Sequence, residues 1–512
     1  MIAVYWQTAM AWLTQLEPHF APLQVAIPLI AAPICVLIRQ RRIAWFFTLV
    51  VTWVTFAIAV ALLVQVRSSG DISYAIGGWE PPWGIEYKVD LLSALVLVIV
   101  AGIAAAVMPF ARVSVEREVP NPRIYLFYTM YLLSLAGLLG ITITGDAFNL
   151  FVFLEISSLS SYVLISLGRD TRALTAAFRY LILGTLGATF YVIGVGMLYM
   201  MTGTLNIADL ATRLPALQNL RVVEAALAFL LVGVGLKLAL FPLHTWLPNA
   251  YAFAPTVATI FIAATATKVS VYVMIRLLYT LFGGTDFFAT TGVDEALVGL
   301  GMVGMIAAAL IAIFQRNVKR LLAYSSVSQI GYMVLGLALG NVAGLTAAIL
   351  HIVYHALMKA ALFMAVGCAT TQARVVQIED LAGLGRQMPV TMASMVVGIL
   401  SLIGVPLTVG FVSKWYLLQA AFVAGDWAIA LVIVASGLIA AVYGWRVIEA
   451  AYFTDAPEGR AEVAEAPLSM LVPLWLLTGL CVLLALNAEW TMTLAEEAAR
   501  ALMNGAAAGV VP

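Results

Sequence analysis

The segment LVGVGLKLALFPLH, residues 231–244, sets a lysine and a proline inside a run of apolar residues. Such a run is typical of a membrane-spanning helix, but proline removes a backbone donor and clashes with the preceding turn. A second segment of this kind, GVPLTVGFVSK at residues 404–414, follows 164 residues later, counted from Pro242 to Pro406. Each helix should therefore break inside the membrane. An ordinary proline kink explains one such break, whereas two, each beside a lysine, favour an ion path.

The composition is that of an integral membrane protein. Of the 512 residues, 63% are hydrophobic and 10% are charged, whereas soluble domains carry about 25% charged residues. A formal net charge of zero argues against a nucleic-acid partner. The cysteines Cys35, Cys368 and Cys481 are far apart in apolar stretches, so no metal site and no cofactor is predicted. The first 16 residues lack a basic segment and a cleavage motif, so we expect no signal peptide.

Apolar stretches of membrane-spanning length predict an all-α integral membrane fold with about 14 transmembrane helices. The connections are too short to fold alone, so residues 1–512 are predicted to form a single polytopic domain. The predicted spans are 22–38, 43–66, 90–110, 124–143, 147–166, 173–201, 224–242, 255–281, 293–314, 321–340, 342–370, 390–421, 427–450 and 467–487.

The basic residues of the loops predict the orientation. They follow every second span, on the side that the positive-inside rule makes cytoplasmic, so both termini are expected outside. The two proline breaks lie about five spans apart, and an odd offset would invert a second repeat relative to the first. The basic loop residues are Arg39, Arg41, Arg42, Arg112, Arg117, Arg123, Arg169, Arg172, Arg316, Lys319, Arg320, Arg374, Arg386 and Arg460.

Three ionisable residues of the first half lie deep in apolar spans. A lysine at the bilayer centre costs about 2.5–3.5 kcal/mol on insertion scales, so such residues are usually functional. Glu155 lies in mid-span, and Lys237 follows Gly233 and Gly235, small residues that let another helix approach. If Lys237 approaches Glu155, each sets the protonation of the other; the simpler alternative is a structural salt bridge. Lys268 either passes protons between the halves or serves as a static counter-charge.

The second half carries a run of titratable residues on one helix face. His351, Tyr354, His355 and Lys359 stand at i, i+3, i+4 and i+8. Two histidines at this spacing can bind zinc, but no acidic residue is near and Lys359 would repel a cation. A proton relay is the sharper interpretation, and packed histidines with hydrogen-bond partners are the simpler one. Lys414 ends the series in the second broken helix.

His244 and Trp246 lie near the cytoplasmic end of the first broken helix. A tryptophan at that depth can serve as an interfacial anchor. Beyond residue 487 only a tail of about 25 residues remains, and no long helix running along the membrane is expected there.

Around these residues the chain resembles a known family. Matching segments run from about Gly77 to Tyr443 and resemble the antiporter-like subunits of respiratory complex I, Mrp-type multisubunit Na⁺/H⁺ antiporters and membrane-bound hydrogenases. The motifs are GGWEPPWGIEYKVDLLSALV (77–96), FPLHTWLPNAYAFAPT (241–256), ATKVSVYVMIR (266–276), QRNVKRLLAYSSVSQIGYM (315–333) and HALMKAALF (355–363).

The resemblance implies 14 helices with two inverted five-helix repeats, 124–282 and 293–450, containing broken helices seven and twelve. It implies a coupled pair of Glu155 and Lys237, with Lys268 as the link toward His351, His355 and Lys414. It also implies partner subunits in a membrane complex, and protons with Na⁺ or K⁺ as the transported ions. The expected location is a bacterial inner membrane.

Departures from the complex I pattern favour a subunit that resembles the D subunit of an Mrp-type antiporter, or its counterpart in a membrane-bound hydrogenase. The chain reads LPNAY at 247–251, where complex I subunits often read LPDAH, and it has Lys414 where one of them has glutamate. The function predicted first is therefore proton translocation within a cation/proton antiporter. A redox-driven proton pump is the alternative, with the redox chemistry in other subunits. A lone carrier that binds an organic anion at the Lys/Glu pair is the third possibility.

Overall fold

The fold is known from a computed structural model that describes residues 16–217, 220–283, 290–459 and 461–508. Arg460, used above for orientation, and both ends of the chain lie outside these ranges. The elements are α1 (Phe20–Ile38), α2 (Arg41–Ser69), β1 (Ile72–Ala75), β2 (Glu86–Val89), α3 (Leu91–Glu118), α4 (Ile124–Ile143), α5 (Ala147–Ser166), α6 (Arg172–Thr202), α7 (Ile207–Arg213), α8 (Arg221–Leu238), α9 (Leu247–Phe253), α10 (Thr256–Ile275, continued by a π-helical turn Arg276–Leu281), α11 (Val293–Ile313), α12 (Val318–Ala338), α13 (Val342–Ala373), α14 (Leu384–Gln387), α15 (Pro389–Ile403), α16 (Val409–Val423), α17 (Trp427–Tyr452), α18 (Leu468–Leu486) and α19 (Ala488–Ala508).

The predicted helical membrane fold is confirmed. Within the described ranges, 12 helices are long and apolar enough to cross a membrane, or 13 if Glu379–Gln387 is joined to Pro389–Ile403 across a 117° bend. The two predicted spans missing from those 12 are 224–242 and 390–421, the two that carry the breaks. The first is reduced to α8, and the second is divided into α15 and α16.

Three helices form the centre of the bundle. In each of α10, α12 and α13, 94% of the most apolar stretch is buried inside the protein, against 39% for the peripheral α6. These central helices carry Lys268, His351, His355 and Lys359. Their charged and titratable side chains are therefore enclosed by protein rather than exposed to lipid.

The first break begins where α8 ends. Ala239 adopts a left-handed conformation with φ of 61°, and the chain does not resume a helix until Leu247. The indole Nε1 of Trp246 turns back and donates to the carbonyl oxygen of Leu236 at 2.9 Å, which also accepts from the backbone nitrogen of Ala239 at 3.3 Å. Trp246 is 2% exposed, so its predicted role as an interfacial anchor is wrong. It satisfies a broken helix end instead.

The second break has the same form. Gly404 and Leu407 have positive φ angles of 94° and 73° between α15 and α16. Here Lys414 supplies the donor, because its Nζ lies 2.8 Å from the carbonyl oxygen of Leu402 and 2.9 Å from that of Ile403. A charged group therefore takes the place that an indole holds in the first break.

Two elements at the ends of the helices were not predicted. β1 and β2 form an antiparallel hairpin in register Ile72↔Val89, within the connection between α2 and α3. Residues Ala488–Ala508 form α19, whose Leu494 and Ala498 are buried. The hydroxyls of Tyr354 in α13 and Thr491 in α19 lie 2.5 Å apart. The tail after residue 487 is therefore packed against the bundle.

A largely buried ion pair connects the hairpin end of the bundle to α10. Asp90 accepts from the backbone nitrogen of Ser93 at 2.9 Å and thereby caps α3. The same carboxylate pairs with the guanidinium of Arg276, whose Nε also donates to the hydroxyl of Tyr272 at 3.0 Å. The two side chains of the pair are only 20% and 14% exposed.

We expect Asp90→Asn to lower the free energy of unfolding by about 3–5 kcal/mol, because it leaves a buried guanidinium without its counter-charge. Asparagine can still cap the helix, so the loss of stability measures the missing counter-charge of Arg276 rather than a lost cap. Thermal unfolding of the purified protein in detergent measures it. Asp170→Asn is the control, since Asp170 pairs with Arg172 at the surface and such a pair contributes about 1 kcal/mol or less. Equal melting temperatures for the two variants would contradict the expectation.

Candidate proton path

Glu155 and Lys237 meet between α5 and α8. The Nζ of Lys237 lies 3.5 Å from Oε1 of Glu155 and donates to Oγ of Ser158 at 2.6 Å. The side chain of Lys237 is 6% exposed and that of Glu155 is 23% exposed. The approach that the sequence predicted is therefore present, with Ser158 as an additional partner that the sequence did not single out.

The close packing of α6 against α8 places Lys237. A Cβ atom on Gly233 would lie 2.6 Å from the carbonyl oxygen of Gly187 in α6, whereas one on Gly235 would meet nothing closer than 3.4 Å. Of the two glycines that precede the lysine, Gly233 therefore permits the helix approach and Gly235 does not limit it.

Lys268 lies alone at the centre of α10. It is 1% exposed, and its Nζ donates to the carbonyl oxygen of Ala263 at 2.5 Å and to Oγ1 of Thr267 at 3.4 Å. Among the described residues no carboxylate lies within ion-pair distance of it. A buried lysine without a counter-charge is costly when protonated, which favours an amine that gains and loses its proton.

Lys359 on α13 is held by α12. Its Nζ donates to the carbonyl oxygen of Leu322 at 2.9 Å and to Oγ of Ser325 at 2.6 Å. The side chain is completely buried. As with Lys268, only neutral oxygen atoms receive its hydrogen bonds in the part of the chain that is described.

The two histidines lie between Lys359 and Lys414. The rings of His351 and His355 stack with centroids 5.7 Å apart, and Nδ1 of His351 lies 2.8 Å from Oγ of Ser413, the neighbour of Lys414. Neither ring nitrogen of His355 has a hydrogen-bond partner among the described residues. Tyr354 was predicted on the same face, but its hydroxyl bonds to Thr491 of α19 and makes no hydrogen bond to the histidines.

Lys414 ends the series at the second break. It is 9% exposed, and besides capping α15 its Nζ lies 4.7 Å from the centre of the Tyr332 ring. This contact is a cation–π interaction when the lysine is protonated. The lysine therefore has neutral partners of two kinds, backbone carbonyls and an aromatic face.

Sequence reasoning missed neutral polar residues beside this series. Gln329 on α12 is completely buried, and neither polar atom of its amide has a hydrogen-bond partner among the described residues. The buried hydroxyl of Tyr251 also has no hydrogen-bond partner among them. Buried polar atoms are normally hydrogen-bonded to protein or to water. Only the placement of an uncharged amide in an apolar span signalled Gln329 in the sequence.

Comparison with known proteins identifies the family to which the chain belongs. Residues 144–440 match the family described as NADH:quinone oxidoreductase/Mrp antiporter, TM. The chain belongs to this family. The resemblance seen in the sequence is therefore confirmed.

The relatives of this antiporter-family chain include subunits of NADH-quinone oxidoreductase and of Na⁺/H⁺ antiporters. It is 43% identical to the N subunit of NADH-quinone oxidoreductase from Desulforudis audaxviator, over 90% of this chain and 94% of the relative. It is 31% identical to the D subunit of the Na⁺/H⁺ antiporter from Alkalihalophilus pseudofirmus, over 84% and 86%. A chain in the structure of the membrane-bound sulfane sulfur reductase, an archaeal respiratory membrane complex, superimposes with a TM-score of 0.87 at 31% identity, covering 96% of this chain and 99% of that one.

Proposed function

We propose that this family member carries protons across the membrane along Glu155, Lys237, Lys268, Lys359, His355, His351 and Lys414. The observation that carries the proposal is the Glu155–Lys237 contact of 3.5 Å inside the bundle. Moving a proton onto the glutamate or off the lysine breaks the attraction between them. A change in occupancy at one residue therefore changes the proton affinity of the other.

The remaining lysines suit a relay because their partners are neutral. Lys268, Lys359 and Lys414 donate to carbonyl or hydroxyl oxygens. A carbonyl oxygen also accepts from a neutral amine, and a hydroxyl can either accept from it or donate to it. A structural salt bridge would instead need a fixed carboxylate beside each lysine. The histidine pair between Lys359 and Lys414 adds groups that titrate near neutral pH in water.

We further propose that residues 124–282 and 293–450 are two inverted repeats. The support is the likeness of the breaks. Each follows a helix that ends before its proline, and in each a side chain further along the chain donates to a carbonyl of the last helical turn, Trp246 in one and Lys414 in the other. With basic loops inside, both termini would lie outside, and the membrane would be the bacterial plasma membrane.

The driving force has two candidates. The departures LPNAY and Lys414, with the relative that is named as part of an Na⁺/H⁺ antiporter, support exchange of protons for Na⁺ or K⁺. The higher identity to the NADH-quinone oxidoreductase relative and the fold match to a respiratory complex support a redox-driven pump. In both cases this chain would be the proton-carrying component of a larger membrane complex, with other membrane subunits as partners.

We expect the assembled complex in inside-out vesicles to move protons, and Glu155→Ala to stop that movement because Lys237 then has no partner to exchange charge with. Dye-reported pH change is recorded after adding Na⁺ or K⁺, and separately after adding a redox substrate. A response to the cation alone supports antiport, and one that requires the redox substrate supports the pump. Glu224→Ala, an exposed glutamate on α8, is the matched control. Full activity of assembled Glu155→Ala with either driver would refute the proposal.

A further inference from the structure

The hydroxyl of Tyr162 lies buried near the Glu155–Lys237 pair. Tyr162 is 5% exposed, and its phenolic oxygen has no hydrogen bond within standard geometry to any described residue. Glu155, Ser158 and Tyr162 stand at i, i+3 and i+7 of α5, which places them on one face of the helix. Tyr162 is the member nearest to Ser166, the end of α5 that is predicted to face the cytoplasm.

A notch in α6 holds this hydroxyl. A Cβ atom on Gly184 would lie 1.8 Å from the phenolic oxygen of Tyr162 and 2.8 Å from its Cζ. Only glycine leaves room for the hydroxyl at this position. The ring itself is fixed by an edge contact with Tyr180 at 4.5 Å, and Tyr180 stacks on Trp246 at 3.8 Å. The ring of Tyr162 is therefore packed against α6 at two points, Tyr180 and Gly184.

Ser158 is the serine of this part of α5 whose hydroxyl proton is not committed to a backbone carbonyl of its own helix. The neighbouring Ser157, Ser160 and Ser161 each donate to a carbonyl of their own helix. Ser158 donates to no backbone carbonyl in the described ranges; it accepts from Lys237 at 2.6 Å, and it lies one helical turn from Tyr162 on the same face of α5. The two hydroxyls thus follow one another along this face from the lysine toward the predicted cytoplasmic end.

We propose that Tyr162 passes protons to Lys237 through Ser158, and that Gly184 is the positioning residue that keeps its hydroxyl in line. This inference rests on the proton-carrying function proposed above. An incoming proton binds the phenolic oxygen while the phenolic proton moves to Ser158. The Ser158 proton moves in turn to the unprotonated amine of Lys237. Each hydroxyl ends with one proton, and the lysine gains one.

The test compares one-sided proton uptake by reconstituted complexes that carry Tyr162→Phe, Gly184→Ala or both. We expect each single change to slow uptake about 100-fold or more, the scale of a lost proton-transfer group, and the double variant to be no slower than Tyr162→Phe. The loss should increase as pH rises on the predicted cytoplasmic side, where protons become scarce, and should not depend on pH on the other side.

Matched variants separate transport from packing. Gly196→Ala lies on the same helix with nothing within 4 Å of the new methyl group, and Tyr131→Phe removes a hydroxyl that bonds to the carbonyl of Ala104; both should transport normally. If Tyr162→Phe transports as Tyr131→Phe does at every pH, the inference is wrong, even if Gly184→Ala is slow. Lys237→Ala in the same assay separates the two levels: its activity would overturn the proposed function itself, whereas its inactivity beside a fully active Tyr162→Phe overturns only this inference.

Discussion

Lys237→Ala is expected to abolish proton translocation while the complex still assembles. The change removes the amine that contacts Glu155 at 3.5 Å and Ser158 at 2.6 Å, so the carboxylate has no partner whose charge can change with its own. Removing a positioned proton-transfer group slows such a step by about 100-fold or more. The expected proton flux is therefore at background, and reconstituted complexes of verified composition measure it.

A companion variant, Lys237→Arg, distinguishes a fixed charge from a proton carrier. Arginine keeps a positive charge beside Glu155, but it does not release its proton in proteins. We expect Lys237→Arg to be as inactive as Lys237→Ala, whereas Glu224→Ala on the exposed side of the same helix should be fully active. An active Lys237→Arg would mean that the lysine acts as a static counter-charge.

Gly410→Ala is expected to damage the second broken helix more than any conservative change nearby. A Cβ atom at this position would lie 1.7 Å from the carbonyl oxygen of Ser401 and 2.8 Å from its carbon. Because the obstacle is backbone, α15 and α16 must move apart. Overpacking of this kind costs about 3 kcal/mol or more, and it would also move Lys414 away from the carbonyls that it caps.

The matched control is Gly479→Ala in α18, where a new methyl group meets nothing within 4 Å. That change should leave stability equal or slightly higher, since alanine favours a helix over glycine by about 1 kcal/mol. Thermal unfolding in detergent and proton flux after reconstitution are measured for both. If Gly410→Ala melts and transports like Gly479→Ala, the close crossing of α15 and α16 is not needed.

The sequence predicts the helices and their breaks because both depend on local chemistry. The length of an apolar stretch determines whether a helix can span the membrane, and a proline near a glycine or a lysine determines where that helix breaks. It predicts the meeting of Glu155 and Lys237 for a related reason: two charges deep in lipid need a partner, and few partners exist. These features depend on residue type and order, which the chain shows directly.

The partners of the carbonyls and the course of the tail depend on packing between distant segments. Trp246 reads as an interfacial anchor, and only the fold places its indole on Leu236. Ser158 is one of four serines in the middle of α5. Which of the four bonds to Lys237 depends on the face of α5 that α8 contacts, and that face is seen only in the fold. Tyr354 shares a helix face with His351 and His355, yet α19 draws its hydroxyl away. Periodicity predicts a face but not the neighbour that covers it.

The most direct test of the account is a double-mutant cycle on proton flux with Glu155→Gln, Lys237→Met and the double variant. Residues that act as one unit are not additive. If the two side chains form a coupled pair, each single change reduces flux to background and the double variant loses no more. Losses that multiply in the double variant, or a single variant with near-normal flux, would contradict the account.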